Sequence, residues 1–318
     1  MSELLRVEGL TKHYPGPGGR SLQALEDVSF TLASGEVLGL VGESGCGKTT
    51  LGRALLRLVE PTAGQVFFEG EDIIPLPRRA MTERRRQMQI VFQDPFGSLN
   101  PRHRVATLIG EPLTIHGLPG RPARVAELLR LVGLPADCGD RYAHEFSGGQ
   151  RQRIAIARAL ALSPKLLVAD EPVSALDVSI QSQIINLIAD LKEELGLSML
   201  FISHDLSVVR HVSGRIAVMY LGRIVEIGAT EAIFAAPAHP YTAALLSAVP
   251  RRFGEAKGKR VVLQGDLPDP SDPPAGCAFH GRCAMAQAAC ATVRPPLVPR
   301  RLPDGSVRET ACILHEAA

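Results

Sequence analysis

The sequence predicts an α/β domain with a largely parallel sheet, followed by a small, loop-rich, cysteine-containing C-terminal appendage. Three observations predict this. Strand-like and helix-like patterns alternate from the first residues to about Ala235. A short apolar run, EVLGLVG, ends in glycines and leads directly into a helical pattern. Beyond Ala235 the regular periodicity fades, and nine of the 24 prolines fall between Pro250 and Pro303.

The elements follow in order. LLRVEGL alternates apolar and polar residues like a half-buried strand, YPGPGG is a loop, and a second strand-like stretch runs from Val28 to Leu32. EVLGLVG reads as a buried strand feeding a functional loop, with a helix from Thr49 to Leu58 behind it. The basic, polar segment RRAMTERRRQ precedes a second apolar strand, MQIVF. Residues from about Val105 to Leu162 are mostly helical in pattern. After Pro164, LLVAD reads as a strand, Ile180 to Leu195 as a helix and SMLFIS as a further strand. The tail has little apolar material for a core of its own, so it needs a staple or a surface to pack on.

Bulk properties narrow the function. A chain of 318 residues accommodates one large domain with an appendage, or two domains. With 45% hydrophobic and 21% charged residues it has the composition of a soluble globular protein. A formal charge of +2 gives no electrostatic reason to expect nucleic acid. The N-terminus, MSELLRVEGL, lacks the pattern of a secretory signal, and no stretch approaches the ~18 apolar residues of a membrane span. The expected location is cytosolic, with any membrane role exercised through partners. In that reducing compartment a thiol cluster is more often a metal site or a set of free side chains than a disulfide framework.

The strongest local motif is GESGCGKT, residues 42–49, which fits G-x-x-x-x-G-K-[ST] in its required context between strand and helix. Its glycines let backbone N–H groups turn toward phosphates, and the helix N-terminus adds a favourable dipole. The candidate cradle comprises Gly42, Ser44, Gly45, Cys46, Gly47, Lys48, Thr49 and the adjoining Thr50. Lys48 is expected to reach the β- and γ-phosphates, and the Thr49 hydroxyl to coordinate Mg²⁺. Cys46 occupies a variable loop position. In LLVADEP, Asp170 ends an apolar strand, where its carboxylate can help hold the Mg²⁺. Glu171 follows, and strand alternation turns it elsewhere, toward an attacking water. Taken alone, each segment has an ordinary structural explanation; together they describe a Mg–ATP hydrolysis site.

FSGGQRQRIAIARAL, Phe146 to Leu160, places Ser147 and two glycines before a strongly helical segment, another helix N-terminus suited to an anion. This stretch resembles the signature of the ATP-binding cassette (ABC) ATPases, and with the phosphate loop it implies a P-loop NTPase fold. The resemblance covers roughly Leu4 to Ala235. It implies that Ser147 and Gly149 of one subunit cap the γ-phosphate held by the other, so that ATP is sandwiched between two cassettes. By the same resemblance Tyr14 stacks on adenine, and Gln93 in VFQDP senses Mg²⁺ and water and links the site to a transmembrane partner. SALD, ending at Asp177, resembles the loop that crosses the dimer interface, and His204 in FISHD the histidine that contacts the γ-phosphate. The expected catalytic residues are therefore Glu171, His204 and Gln93, with Thr49, Gln93 and Asp170 at Mg²⁺.

Lys48 and Ser147 lie 99 residues apart, too close for the long insertions of DNA-repair members; the chain carries one cassette and no fused membrane helices. FQDPFGSLNPR, HPYTAALLSAVP and the tail pattern DPPAGCAFHGRC resemble the oligopeptide/dipeptide/nickel import branch. FGSLNPR resembles the second, "F-type", cassette of the pairs found there. The resemblance implies an ATP-hydrolysing motor subunit for import of peptides or related small solutes. Its partners would be a second, non-identical cassette, two permeases and an extracytoplasmic solute-binding protein, with the chain peripheral at the cytoplasmic face of the inner membrane. A cassette serving a soluble enzyme complex, such as a phosphonate C–P lyase system, is the other reading. The expected domains are 1–235, an ATP-binding cassette with a helical subdomain at about 95–162, and 236–318, an oligopeptide-transporter-type tail.

Four cysteines mark that tail: Cys277, Cys283, Cys290 and Cys312. Their spacing, C-x5-C-x6-C-x21-C, lacks the paired knuckles of structural zinc sites. All-thiolate ligation of an iron–sulfur cluster is the first reading, and members of the resembling branch carry a [4Fe–4S] cluster at such a tail. Zinc and unligated or conditionally oxidised thiols stay open. Cys138 lies far away in sequence. Arg78, Arg79 and Arg84 to Arg86 form a basic cluster, read first as a solvated face and second as a headgroup contact.

Overall fold

The computed structural model describes residues 2–16, 20–249, 265, 267–302 and 305–317. The chain opens with two long strands, β1 (Glu3–Pro15) and β2 (Ser21–Ala33), followed by the short, wholly buried β3 (Val37–Val41). Helix α1 (Lys48–Leu55) leads to β4 (Ala63–Phe68) and β5 (Glu71–Asp72). Next come α2 (Arg78–Arg85), β6 (Met88–Val91), the single turn α3 (Pro95–Ser98), α4 (Val105–Ile115) and α5 (Arg121–Leu131). Helix α6 (Gly148–Ala159), β7 (Leu166–Asp170), α7 (Val178–Leu195) and β8 (Ser198–Ile202) follow. The remainder comprises α8 (Leu206–Val212), β9 (Arg215–Tyr220), β10 (Arg223–Ala229), α9 (Thr230–Ala235) and α10 (Pro240–Ser247), then β11 (Val298–Arg301), β12 (Val307–Thr310) and β13 (Glu316–Ala317).

These elements form two compact units, one of residues 1–3, 32–37 and 75–203, the other of 4–31, 38–74 and 204–318. In the first, β6, β7 and β8 pair in parallel, with Ile90 beside Val168 and Val168 beside Leu200. Every residue of β7 and β8 is buried, which explains their unbroken apolar runs. The helices show the complementary rule of one apolar face each. Helix α4 buries Val105, Leu108, Ile109 and Leu113, and α5 buries Val125, Leu128 and Leu129. Helix α7 begins two residues before the expected Ile180 and stops where Gly196 adopts a left-handed φ of 60°. The basic segment is helix α2, which buries only Met81; Arg78 and Arg79 are exposed, and Arg86 pairs with Glu83.

In the second unit β2, β1, β4 and β5 lie side by side in one sheet, with β1–β4 and β4–β5 antiparallel. In another sheet β3 runs parallel to β9, and β10, β12, β11 and β13 continue it antiparallel. The tail is therefore more than loop: its strands extend the sheet that contains β3 and β9. The buried Glu226–Arg308 pair, 2.9 Å, ties β12 to β10 through side chains as well. Among the described residues Tyr220 and Tyr241 are the two largest fully buried side chains.

Candidate functional site

The phosphate-loop residues lie in the second unit, between β3 and α1. Gly45 and Gly47 take φ of 80° and 106°, a backbone that glycine alone enters without strain. Two glycines are also fixed by contact. A Cβ at Gly42 would lie 2.2 Å from the Met219 carbonyl oxygen, and one at Gly47 2.3 Å from that of Ala24. Lys48 is 5% exposed, and its ammonium donates to the carbonyls of Gly42 (2.8 Å) and Glu43 (3.0 Å). The lysine thus folds back onto the carbonyls of its own loop. Ser44 and Gly45 are exposed, Thr49 and Thr50 half-buried at the start of α1. Cys46 is buried 3.9 Å from the Lys48 ammonium; burial pushes its thiol up and closes it to solution chemistry.

The same unit holds two further expected residues. Tyr14 is half-buried on β1, with the Lys12 ammonium 4.9 Å from its ring centroid. His204 is exposed just before α8, whose N-terminus is capped by Asp205 accepting from the Ser207 and Val208 amides.

In the first unit, Asp170 closes β7 and is 1% exposed. Glu171 is half-buried, and the Gln93 side-chain amide donates to its carboxylate at 3.0 Å. The structure corrects the reason given for the orientation of Glu171. Strand alternation does not set it, because β7 ends at Asp170 and Glu171 takes a φ of 45°. Its amide donates to the Ile202 carbonyl, and its own carbonyl accepts from the Ser174 amide and hydroxyl. A tight turn aims the carboxylate.

Ser147 caps α6 as expected. Its hydroxyl accepts from the Gln150 amide at 3.4 Å, while the Gln150 side chain accepts from the Ser147 amide at 3.0 Å. A Cβ at Gly149 would lie 2.5 Å from the Ile180 Cγ2, so this glycine lets α6 approach α7 closely. Asp177 stands exposed at the N-cap of α7, next to Val178, which is 78% exposed. The structure thus brings Gln93 to Glu171, and the signature glycine to the helix that follows Asp177.

In the tail, Cys290 and Cys312 are buried, and Cys277 and Cys283 half-buried. The four share one neighbourhood. Burial raises the Cys312 thiol, and the other three thiols raise it further. Burial likewise raises Cys277 and Cys283. Backbone amides offset part of this: those of Phe279 and His280 at Cys277, Met285 at Cys283 and Leu314 at Cys312. The Gln287 amide donates to the Cys290 sulfur at 3.4 Å. Close backbone approach frames the group. The Cys277 amide bonds the Cys290 carbonyl at 2.8 Å, and a Cβ at Gly276 would lie 2.3 Å from that oxygen. Among the described residues, however, no three His, Cys, Asp or Glu side chains are grouped so as to hold a metal ion. The expected metal site at Cys277, Cys283, Cys290 and Cys312 is thus present as neighbouring, amide-supported thiols and not as a formed ligand set. Cys138 belongs to the other unit.

Sequence reasoning missed Glu43, Tyr241 and Arg282. The Arg282 guanidinium holds the Glu43 carboxylate at 2.7 and 3.0 Å, and the Tyr241 hydroxyl accepts from the Glu43 amide at 2.9 Å. HPYTAALLSAVP flagged the tyrosine's neighbourhood without a role, and nothing local links positions 43 and 282.

Comparison with known proteins identifies the architecture. The model of the ABC transporter family matches residues 25–174, and that of the oligopeptide/dipeptide transporter C-terminal region matches 225–290. A protein of Brucella ovis described as a peptide import ATP-binding protein is 56% identical over 297 residues, 92% of this chain and 93% of its own. The chain belongs to the ABC transporter family. An oligopeptide transport ATP-binding protein of Bacillus subtilis is 51% identical to this cassette over 299 residues, covering 90% of this chain and 91% of the relative. Among solved structures, a bacterial ABC transporter cassette determined as a dimer superposes on this cassette with a TM-score of 0.65 at 30% identity, over 71% of this chain and 99% of that one. A cassette of the cbiONQ transporter complex of Clostridium perfringens gives 0.67 at 30% identity, over 74% and 92%. The cassette is an ABC ATPase with a P-loop NTPase fold. Among its described residues no helix is long and apolar enough to cross a membrane.

Proposed function

We propose that this cassette is the ATP-hydrolysing motor subunit of an importer for peptides or related small solutes. The observation that carries the proposal is the C-terminal region. It matches the oligopeptide/dipeptide transporter model over residues 225–290 and continues the sheet containing β3 through β12, β11 and β13. Relatives named for peptide import align over 93% and 91% of their own length. No observation favours a soluble enzyme complex. Residues 1–235 form the cassette, with a helical subdomain at about 95–162, and 236–318 the transporter-specific tail.

ATP lies between two cassettes. Tyr14 stacks on adenine, and residues 42–50 cradle the phosphates with Lys48 on the β- and γ-phosphates. Thr49, Gln93 and Asp170 would hold Mg²⁺, which would supply charge neutralisation at the transferring group. Glu171 takes the proton of the attacking water; the donor from Gln93 and the fixed turn pre-aim its carboxylate. His204 contacts the γ-phosphate. Ser147 and Gly149 of the opposite subunit close the site, and exposed Asp177 and Val178 meet that subunit. The partners are a second, non-identical cassette, two permeases and an extracytoplasmic binding protein, with the chain at the cytoplasmic face of the membrane. The FGSLNPR segment supports the F-type position in such a pair.

The four tail thiols would hold a [4Fe–4S] cluster, which would staple a segment poor in apolar core. Their convergence and the amide donors to each sulfur support this, because thiolate ligands need N–H···S bonds to carry their charge half-buried. Iron and acid-labile sulfide analysis of anaerobically prepared protein tests it; absence of both iron and zinc refutes a metal. The function is tested by isolating a tagged chain from gently solubilised native membranes. Two multi-pass permeases and a second cassette are expected; soluble enzymes without a permease would overturn the transport reading.

A further inference from the structure

We propose that Arg282 is a positioning residue of the nucleotide site, which neutralises and holds Glu43 so that the phosphate loop presents no bare carboxylate to ATP. The inference rests on the assignment of residues 42–49 as the ATP phosphate loop. Glu43 follows Gly42 directly, so a negative side chain sits within a loop whose task is to bind an anion. Uncompensated, that charge opposes phosphate binding.

The tail removes the difficulty. The guanidinium of Arg282, 239 residues away in sequence, engages both carboxylate oxygens at 2.7 and 3.0 Å, the fork geometry that gives Arg–carboxylate pairs their strength and orientation. Both side chains are largely shielded, 10% exposed for Arg282 and 23% for Glu43, so solvent screens the pair only weakly. The same guanidinium lies 3.5 Å from the Tyr220 hydroxyl and 5.9 Å from that ring's centroid.

Glu43 is fixed at its backbone as well. Its amide donates to the Tyr241 hydroxyl, and its carbonyl accepts from the Cys46 amide at 3.3 Å and from the Lys48 ammonium at 3.0 Å. A shift of Glu43 therefore moves an immediate partner of Lys48. The support beneath is rigid. Tyr241 and Tyr220 are fully buried, and Phe279, three residues before Arg282, packs on both rings with centroids 5.4 and 5.3 Å away. Buried His239 accepts the Tyr241 amide at Nδ1, and its own amide donates to buried Glu226. The HPY triplet thus carries the tyrosine that holds the loop. The tail is a structural part of the nucleotide site.

The test is a titration of purified full-length chain with a fluorescent ATP analogue in four forms: wild type, Arg282→Met, Glu43→Gln and the double variant. Arg282→Met is expected to raise Kd at least threefold, by baring the carboxylate. Adding Glu43→Gln is expected to regain at least half of that loss on a logarithmic scale, since the offending charge is gone. A merely structural arginine predicts no such recovery. A loss below threefold, or a double variant as weak as Arg282→Met, overturns the proposal. Should Arg282→Met fail to fold by circular dichroism, Arg282→Gln, which is neutral and polar, takes its place with the same criteria. Lys48→Ala separates the underlying reading: if it binds nucleotide like wild type, the loop assignment itself falls and the proposal with it.

Discussion

Arg308→Met is expected to destabilise the tail's attachment to its sheet by about 3–5 kcal/mol, the cost of breaking a buried ion pair from one side. Glu226 is 0% exposed and Arg308 7%, with Nη1 to Oε1 at 2.9 Å. Among the described residues, removing the guanidinium leaves the carboxylate the amides of Ala238 and His239, each at 2.9 Å. Those two donors favour the lower end of the range. The Ala236 and Ala232 carbonyls, bonded at 2.7 and 3.0 Å, lose their donor too, at about 1 kcal/mol each where water does not replace it. Glu226→Gln combined with Arg308→Met leaves no buried charge, so the double variant is expected to be more stable than Arg308→Met alone. The chain has no tryptophan, so urea unfolding is followed by circular dichroism. A loss below about 1 kcal/mol for Arg308→Met, or a double variant losing the sum of the two single effects, would refute the reasoning, because a hydrated pair behaves that way.

Three other outcomes are expected. Glu171→Gln retains ATP binding in titration and loses turnover in a phosphate-release assay; near-normal turnover refutes the assignment of the base. Gly47→Ala forces a side chain onto a φ of 106° and against the Ala24 carbonyl, so nucleotide affinity falls at least about tenfold, some 1.4 kcal/mol; an unchanged Kd contradicts the cradle. Burial, with His315 nearby, pushes His239 down to about 3, and its Nδ1 must stay unprotonated to accept the Tyr241 amide. Its folded pKa lies below the unfolded value of about 6.5, so the unfolded chain binds the extra proton between these limits. Stability is then unaffected by this group above pH 6.5 and falls toward pH 3 by up to about 1.4 kcal/mol per pH unit. His239→Asn removes that component of the slope in urea unfolding between pH 5 and 7, and an identical slope in both proteins would exclude it.

Much of the first unit was legible because its segments obey a single period. The apolar runs at β7 and β8 are strands buried on both faces, and Ser147 with its two glycines announces the start of α6. Helix α2 was not legible, since RRAMTERR carries one buried residue and no apolar stripe. The tail strands were hidden for a related reason: β11 contains Pro299 and two arginines, and only its place beside β12 makes it a strand. Motif order gave the catalytic candidates, but Glu171 is aimed by a turn and not by strand alternation. The Glu43–Arg282 pair joins residues 239 apart, and no local pattern predicts such a contact.

The central claim is that ATP turnover at this cassette drives import. Uptake of labelled short peptides and small solutes is compared in intact cells carrying either the wild-type chain or Glu171→Gln as the sole copy. Loss of uptake of at least one such solute in the variant, with the permeases still present in the membrane, is the predicted result. Unchanged uptake of every solute, in cells whose purified variant has lost ATP turnover, would contradict it.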